Sequence, residues 1–394
     1  MGILLQSQHA NERQKLSSER LHPSFTEIVH IITTIMRGGA ENQLLVLVSE
    51  QVKNGQKVDV IFLKGEFELA AEFEKCGATV HTQFSKQHPL LQILSIRKFL
   101  SGLKFEDAIV HAHLPRAQIT AAFAVTKSQR LICSRHDEDQ FYPNRNRLFS
   151  LLVFKVVNSR IDAWVAISDA VKLRMISYGE NPRVGEIEVV HYGFNKTDSE
   201  INPILVEKLR EQYNLGNDNY VIGCVARLIW QKNHSTLLKA FHTYYLRNPQ
   251  ARLVLVGDGP MRTQLTNQIK ELEIFDKVIL TGKVSNVREH LEIFNVFVLP
   301  SLTEGFGLVL LEAMEANLPI IASNISAIPE VIGQGGLLFQ AGDEKDLATK
   351  IEKFESFEER EFYSGLSRER LMDFAPEIMY SKLTSTYEKV AQYK

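Results

Sequence analysis

From Glu27 onward, short runs of apolar and β-branched residues alternate with longer stretches of helical periodicity. The first runs cover residues 28–34, 58–62, 79–81, 108–113, 131–134 and 163–167. Strand-like runs separated by helical stretches predict a parallel sheet with helices on both faces. A polar stretch at 195–203 breaks the pattern, and a second series follows at 221–226, 251–257, 277–281, 296–300, 319–322 and 336–339. The pattern predicts an α/β protein of two Rossmann-like, doubly wound domains facing a cleft, since such sheets bind ligands outside their C-terminal strand ends. Residues 1–25 are polar and aperiodic and are expected to form an N-terminal extension. Residues 26–198 then form the first domain and 199–376 the second, with a helix at 377–394 packing back on the first.

Length agrees with this division, because 394 residues exceed one ordinary core. A hydrophobic content of 44% and a charged content of 23% fit a globular protein, and the net charge of −2 removes any global case for nucleic acid. Charge is uneven locally. Residues 116–183 carry eleven Lys/Arg and six Asp/Glu, and residues 343–377 reverse those numbers. Scattered surface charge accounts for this, with peripheral membrane contact of a basic first domain as the alternative. Cys76, Cys133 and Cys224 are isolated, which points to a reducing, cytoplasmic setting. No apolar run reaches the ~18 residues of a membrane span. The start of the chain reads poorly as a signal peptide and fails the myristoylation pattern at Gln6.

Several constellations carry chemistry. Thr303-Glu304-Gly305-Phe306-Gly307-Leu308 lies between the run at 296–300 and an apolar helix containing Glu312. Two carboxylates thus flank a glycine turn whose following N–H groups can meet an anion. Arg227 and Lys232 follow the run at 221–226, where both could reach one diphosphate, or simply begin a helix as surface cations. Val256-Gly257-Asp258-Gly259-Pro260 departs from a dinucleotide fingerprint because Arg262 stands at the third glycine, which disfavours nicotinamide binding. Gly38 and Gly39 precede a helix and allow close approach of a ligand, or a plain tight turn. Strand alternation puts His111 and His113 on one face. His113 is expected as a hydrogen-bonding group and His111 as structural, with two packed histidines as the other reading. No further ligand is spaced to make that pair a metal site. Asp137-Glu138-Asp139 is read as an acceptor-side loop, with Arg135 and His136 as acceptor contacts. The apolar segment at 148–157, flanked by Arg145, Arg147 and Arg160, is expected as a core helix, or else as a membrane face.

Together these residues resemble the retaining family-4 glycosyltransferases of the GT-B fold, over roughly 27–390. The likeness is strongest in the ordered series Arg227, Gln231-Lys232-Asn233, Gly257-Asp258-Gly259-Pro260, Glu304-Gly305-Phe306-Gly307, Glu312-Ala313, Ile328-Pro329-Glu330, Gly336-Leu337-Leu338-Phe339 and Gly342-Asp343. The resemblance implies transfer of a hexosyl group from a nucleoside diphosphate sugar to a glycan or lipid-linked glycan, without a metal or other cofactor. It implies that Arg227 and Lys232 hold the diphosphate and that Glu312 binds the ribose. Glu304 then sits by the transferred sugar, and amides of Phe306, Gly307 and Leu308, after Gly305, meet hydroxyls or phosphates. Gly39 approaches the diphosphate, His113 binds the sugar or aids transfer, and the backbone at Lys283 and Val284 contacts the base. Asn324-Ile325-Ser326-Ala327 lacks the glycines usual in the family, leaving sugar preference open. Rival readings are a sugar-nucleotide epimerase or phosphorylase on a similar frame, and a non-catalytic sugar-nucleotide-binding module.

Overall fold

The computed structural model describes residues 25, 27–103, 108–126, 128–139, 147–196 and 200–393, with the side chains of 147–150 outside the description. Of the expected extension at 1–25, residues 1–24 lie outside the described residues, as does Arg145, while Phe25 is buried in the core of the first unit and so is no loose extension. The chain divides into two compact units. The first runs to Asn195 and takes up Phe374–Lys394, and the second is Lys196–Asp373.

In the first unit, seven parallel strands form one sheet in the order β3-β2-β1-β4-β5-β6-β7. They are β1 (Glu27–Ile32), β2 (Lys57–Phe62), β3 (Thr79–His81), β4 (Ile109–His113), β5 (Arg130–Arg135), β6 (Ala163–Ala166) and β7 (Glu188–Val189). The first six coincide with the apolar runs. The two-residue β7 was not anticipated, since so short an edge strand carries no periodicity to read. β1 and β4 are neighbours, with His30 opposite His111 and Ile32 opposite His113. Helix Gly39–Lys53 buries Leu44, Leu47 and Val48 in the same core as Ile28, Val60 and Phe62. The terminal helix Pro376–Gln392 joins that core through Met379, Leu383, Tyr387 and Val390. Gly193 admits this helix closely, because a Cβ there would lie 2.9 Å from Pro376 Cα. The neighbouring Phe194 N–H donates to the Phe374 carbonyl over 2.7 Å.

The second unit repeats the plan with six parallel strands in the order β10-β9-β8-β11-β12-β13. These are β8 (Tyr220–Val225), β9 (Ala251–Val256), β10 (Val278–Gly282), β11 (Val296–Leu299), β12 (Ile320–Ser323) and β13 (Gly336–Phe339). Gly223 in β8 makes room for Phe294, whose ring would lie 2.0 Å from any Cβ at that position. Both orders have the reversal about the first strand that places the ligand crevice at the C-terminal strand ends.

Candidate nucleotide-sugar site

In the second unit the residues after β8 and β11 converge. Arg227 is exposed just beyond β8. A single turn of tight helix, Trp230–Lys232, follows, and left-handed Asn233 (φ 47°) leads into helix His234–Tyr245. The Leu302 N–H donates to the Gln231 carbonyl over 2.7 Å, tying the turn after β8 to the loop after β11. That tie sets Lys232 Nζ against Glu304 Oε2 in an ion pair largely shielded from water. Glu304 is steadied further: Ser301 Oγ–H donates to its carboxylate over 3.3 Å, and its carbonyl accepts from the Ala327 N–H over 3.3 Å.

Gly307 then turns left-handed (φ 88°) and caps helix Leu308–Glu315. A Cβ at Gly307 would approach Leu310 Cδ1 at 3.0 Å and Glu304 Cγ at 3.3 Å, so conformation and space both favour glycine there. Phe306 is buried and anchors the turn, while Gly305 and Leu308 stay partly accessible. Glu312, one turn into the helix, is pushed up to about 7 by burial and then by the neighbouring charge of Glu315. Lys283 and Val284 follow β10, beyond the Gly257–Gly282 bridge. The Gly257-Asp258-Gly259 turn is zipped to the Arg227 loop: the Leu228 N–H donates to the Asp258 carbonyl over 3.0 Å, and Met261 N–H to the Leu228 carbonyl over 2.9 Å. Arg262, at the place of a third fingerprint glycine, donates to the Leu280 carbonyl over 3.2 Å and pairs with Asp258 at 3.7 Å. Sequence reasoning passed over His234. Burial and then Lys232 hold its imidazole at about 4, and neither ring nitrogen finds a hydrogen-bond partner among the described residues.

In the first unit, Gly39 opens helix Gly39–Lys53 behind an extended Gly38, over which the Glu41 carboxyl folds, shifted upward by burial: a Cβ on Gly38 would touch Glu41 Oε2 at 2.4 Å. His113, at the end of β4, has both ring nitrogens engaged by histidines. Nε2 lies 3.0 Å from His30 Nδ1, and Nδ1 lies 3.2 Å from His136 Nε2. His111 is equally engaged, with Tyr387 at 2.6 Å and Ser134 at 2.7 Å. His30, 81 residues before His111, was invisible to spacing within one strand. It brings a third imidazole to the pair, with ligand atoms all within 4.8 Å of one another. A divalent ion placed among these three would have to displace the hydrogen bonds they already make. A cavity of about 30 Å³ borders the cluster, lined by His111, His113, Ser134, His136, Tyr192 and Met379 among others.

Arg135 is buried with Glu180 at 3.4 Å and Asp137 at 3.6 Å. Burial pushes Glu180 up to about 7 against the opposing pull of that guanidinium. The Asp137-Glu138-Asp139 triplet forms a side-chain turn, with Asp139 N–H donating to Asp137 Oδ1 over 3.2 Å, and Glu138 pairs with Arg174 at 3.4 Å. Helix Arg147–Asn158 buries Val157 and exposes Leu151 and Leu152, so it is only partly a core element. The three cysteines are free. No helix among the described residues is long and apolar enough to cross a membrane.

Comparison with known proteins adds the following. A model described as Glycosyltransferase Family 4 matches residues 37–197, and one described as Glycosyl transferases group 1 matches residues 206–368. The capsular polysaccharide biosynthesis glycosyltransferase CapM of Staphylococcus aureus is 31% identical over 57% of this chain and 60% of its own length. The putative glycosyltransferase EpsF of Bacillus subtilis is 24% identical over 80% of this chain and 83% of its own length. Among solved structures, HepE of Anabaena in complex with UDP superposes with a TM-score of 0.76 at 20% identity, covering 91% of this chain and 99% of HepE. Two successive family models thus span most of the sequence on a matching pair of parallel sheets, and the chain belongs to the family 4 glycosyltransferases of the GT-B fold.

Proposed function

We propose that this protein transfers a hexosyl group, with retention of configuration, from a UDP- or GDP-linked sugar to a hydroxyl of a glycan or glycolipid in surface polysaccharide synthesis. The observation that carries the reading is the Lys232–Glu304 pair, set beside a glycine-capped helix start and followed by a half-buried Glu312. As the glycosidic bond breaks, negative charge grows on the departing diphosphate. Lys232, Arg227 and the N–H groups from Phe306 to Leu308 would stabilise that charge, supplying what a divalent ion supplies in other sugar transferases. Glu304 would exchange part of its bond to Lys232 for the sugar hydroxyls, and Glu312 would receive the ribose. CapM, named for capsular polysaccharide biosynthesis, and HepE, solved with UDP-glucose, support the class of donor and product.

A panel of nucleotide sugars read by thermal shift identifies the donor, since ligand at ~100 times its dissociation constant adds about 2.7 kcal/mol. Transfer to candidate glycan and glycolipid acceptors then tests the reaction. Lys232→Ala and Glu304→Ala should each lose about a hundredfold or more in rate while staying folded, on the order of 3 kcal/mol of transition-state stabilisation. Near-normal turnover in either variant overturns that residue's role. Conversion of the donor sugar without acceptor would instead mark an epimerase, and binding without turnover a non-catalytic module.

Membrane contact is favoured by one surface. Helix Pro89–Ser101 exposes Leu90, Leu91 and Leu94 ahead of Arg97 and Lys98, and residues 75–103 carry four Lys/Arg and no Asp or Glu. Leucines followed by cations on one helix suit an anionic lipid surface. Co-sedimentation with phosphatidylglycerol vesicles should exceed that with phosphatidylcholine and fall when the three leucines are changed to serine. Equal recovery of both proteins removes this partner.

A further inference from the structure

Three histidines of the first unit stand in single file between an amide and a phenol. Gln51 Oε1 lies 2.8 Å from His30 Nε2, and His30 Nδ1 lies 3.0 Å from His113 Nε2. Next, His113 Nδ1 lies 3.2 Å from His136 Nε2, and His136 Nδ1 lies 2.6 Å from the Tyr192 hydroxyl. Burial holds His30 at about 4 and His136 at about 3, and it lowers His113 as well, so at neutral pH each ring carries one N–H.

A neutral imidazole offers one donor and one acceptor, so the direction of one bond dictates the next. Gln51 presents its carbonyl oxygen, Oε1, to His30. A carbonyl only accepts, so His30 carries its proton on Nε2 and its Nδ1 is a lone pair. His113 must then donate from Nε2, which leaves its own Nδ1 to accept from His136 Nε2–H. His136 Nδ1 in turn accepts the Tyr192 O–H. Gln51 cannot take up or release a proton, so the file is a lock and not a conduit.

We propose that Gln51 and His30 are positioning residues that fix His113 as the Nε2–H tautomer, leaving Nδ1 as a pure hydrogen-bond acceptor. That nitrogen is on the cavity side: His113, His136 and Tyr192 line the cavity, whereas His30 and Gln51 do not. A ligand that displaces His136 must therefore arrive as a donor. A sugar hydroxyl is received, and a carboxylate or phosphate oxygen is turned away by the lone pair. This ligand preference rests on the glycosyl-transfer reading, whereas the tautomer does not.

The test is a ligand-free spectrum of the full chain with ring-15N-labelled histidine, recorded near neutral pH. His30, His113 and His136 should each show a protonated Nε2 and an unprotonated Nδ1. Gln51→Met removes the acceptor at similar volume and should leave His113 and His136 in mixed or inverted tautomers, at a melting temperature close to the parent's. Gln51→Glu keeps an oxygen acceptor and should restore the parent pattern at both rings. A protonated Nδ1 at His113 in the parent, or an unchanged His113 pattern in Gln51→Met, overturns the proposal. Should Gln51→Met fail to fold, the parent spectrum decides alone. A null result in a transfer assay would leave that spectrum untouched and bear only on the reaction.

Discussion

Lys232 and Glu304 stand 72 residues apart and meet as an ion pair, and their residue types were legible because each follows a strand end in a β/α series. Their direct pairing was not legible, since it depends on the Leu302–Gln231 backbone bond that draws two loops together. His30 and Gln51 left no signal at all: a lone histidine in an apolar strand and a glutamine in a helix look like ordinary residues until β1 and β4 are paired. At Glu312 the sequence gives the carboxylate, but only burial raises it from 4.5 to about 7. Between those two values the folded state binds more protons than the unfolded chain, so this group's effect on stability worsens as pH rises through the window and is complete above it. Glu312→Gln should therefore stabilise the second unit more at pH 8 than at pH 5, as read from paired thermal melts. In the parent, the proposed role of Glu312 predicts that binding of a nucleoside diphosphate sugar strengthens as pH rises through about 7, because ribose hydroxyls would donate to the ionised carboxylate. Calorimetric titrations across that range should show the slope in the parent and none in Glu312→Gln, and a slope retained in the variant excludes Glu312 as its source.

Strands were the most legible elements. Central runs such as β1, β11 and β12 are rich in β-branched or aromatic residues and buried along their whole length. Glycine conveyed local geometry at the Gly305-Phe306-Gly307 turn, where Gly307 is left-handed at a helix cap, whereas the approach of the Phe294 ring to Gly223 left no sign in the sequence. Faces of helices were harder to read. The apolar stretch at 148–157 suggested a core helix, yet Leu151 and Leu152 are exposed, and in helix Pro89–Ser101 Leu90, Leu91 and Leu94 face solvent while Leu100 is buried, a division the sequence does not signal. Periodicity tells which residues share a stripe, and neighbouring elements decide which stripe is covered. Arg262 teaches the same lesson in reverse. It breaks a glycine fingerprint in sequence, and in the structure its guanidinium holds the turn to β10 through the Leu280 carbonyl.

At the level of the whole molecule, the two units repeat one strand order but differ in how their polar groups are buried. The first keeps His30, His111, His113 and His136 neutral through burial, and the second has His234 in that condition. A histidine lowered on folding binds fewer protons in the native state than in the unfolded chain. Its stabilising contribution is whole above the ordinary value of 6.5 and is lost as pH falls toward the folded value. With more such groups, the first unit should weaken sooner on acidification between pH 6.5 and about 4. Glu180 and Glu312, each at about 7, act in the opposite sense, one in each unit. Hydrogen exchange read by peptide, corrected for intrinsic rates, should show protection falling first along β1 and β4 as pH drops. Loss of protection first in β8 and β11 would contradict this ordering.

The central claim is that the second unit grips the diphosphate of a sugar nucleotide with Lys232 and Arg227 while Glu312 receives the ribose. A crystal structure of the full chain with UDP or GDP, whichever binds more tightly, tests it most directly. The account predicts diphosphate oxygens within hydrogen-bond distance of Lys232 and the Phe306–Leu308 amides, with the ribose hydroxyls on Glu312. A nucleotide bound away from both Lys232 and Glu312 would contradict it.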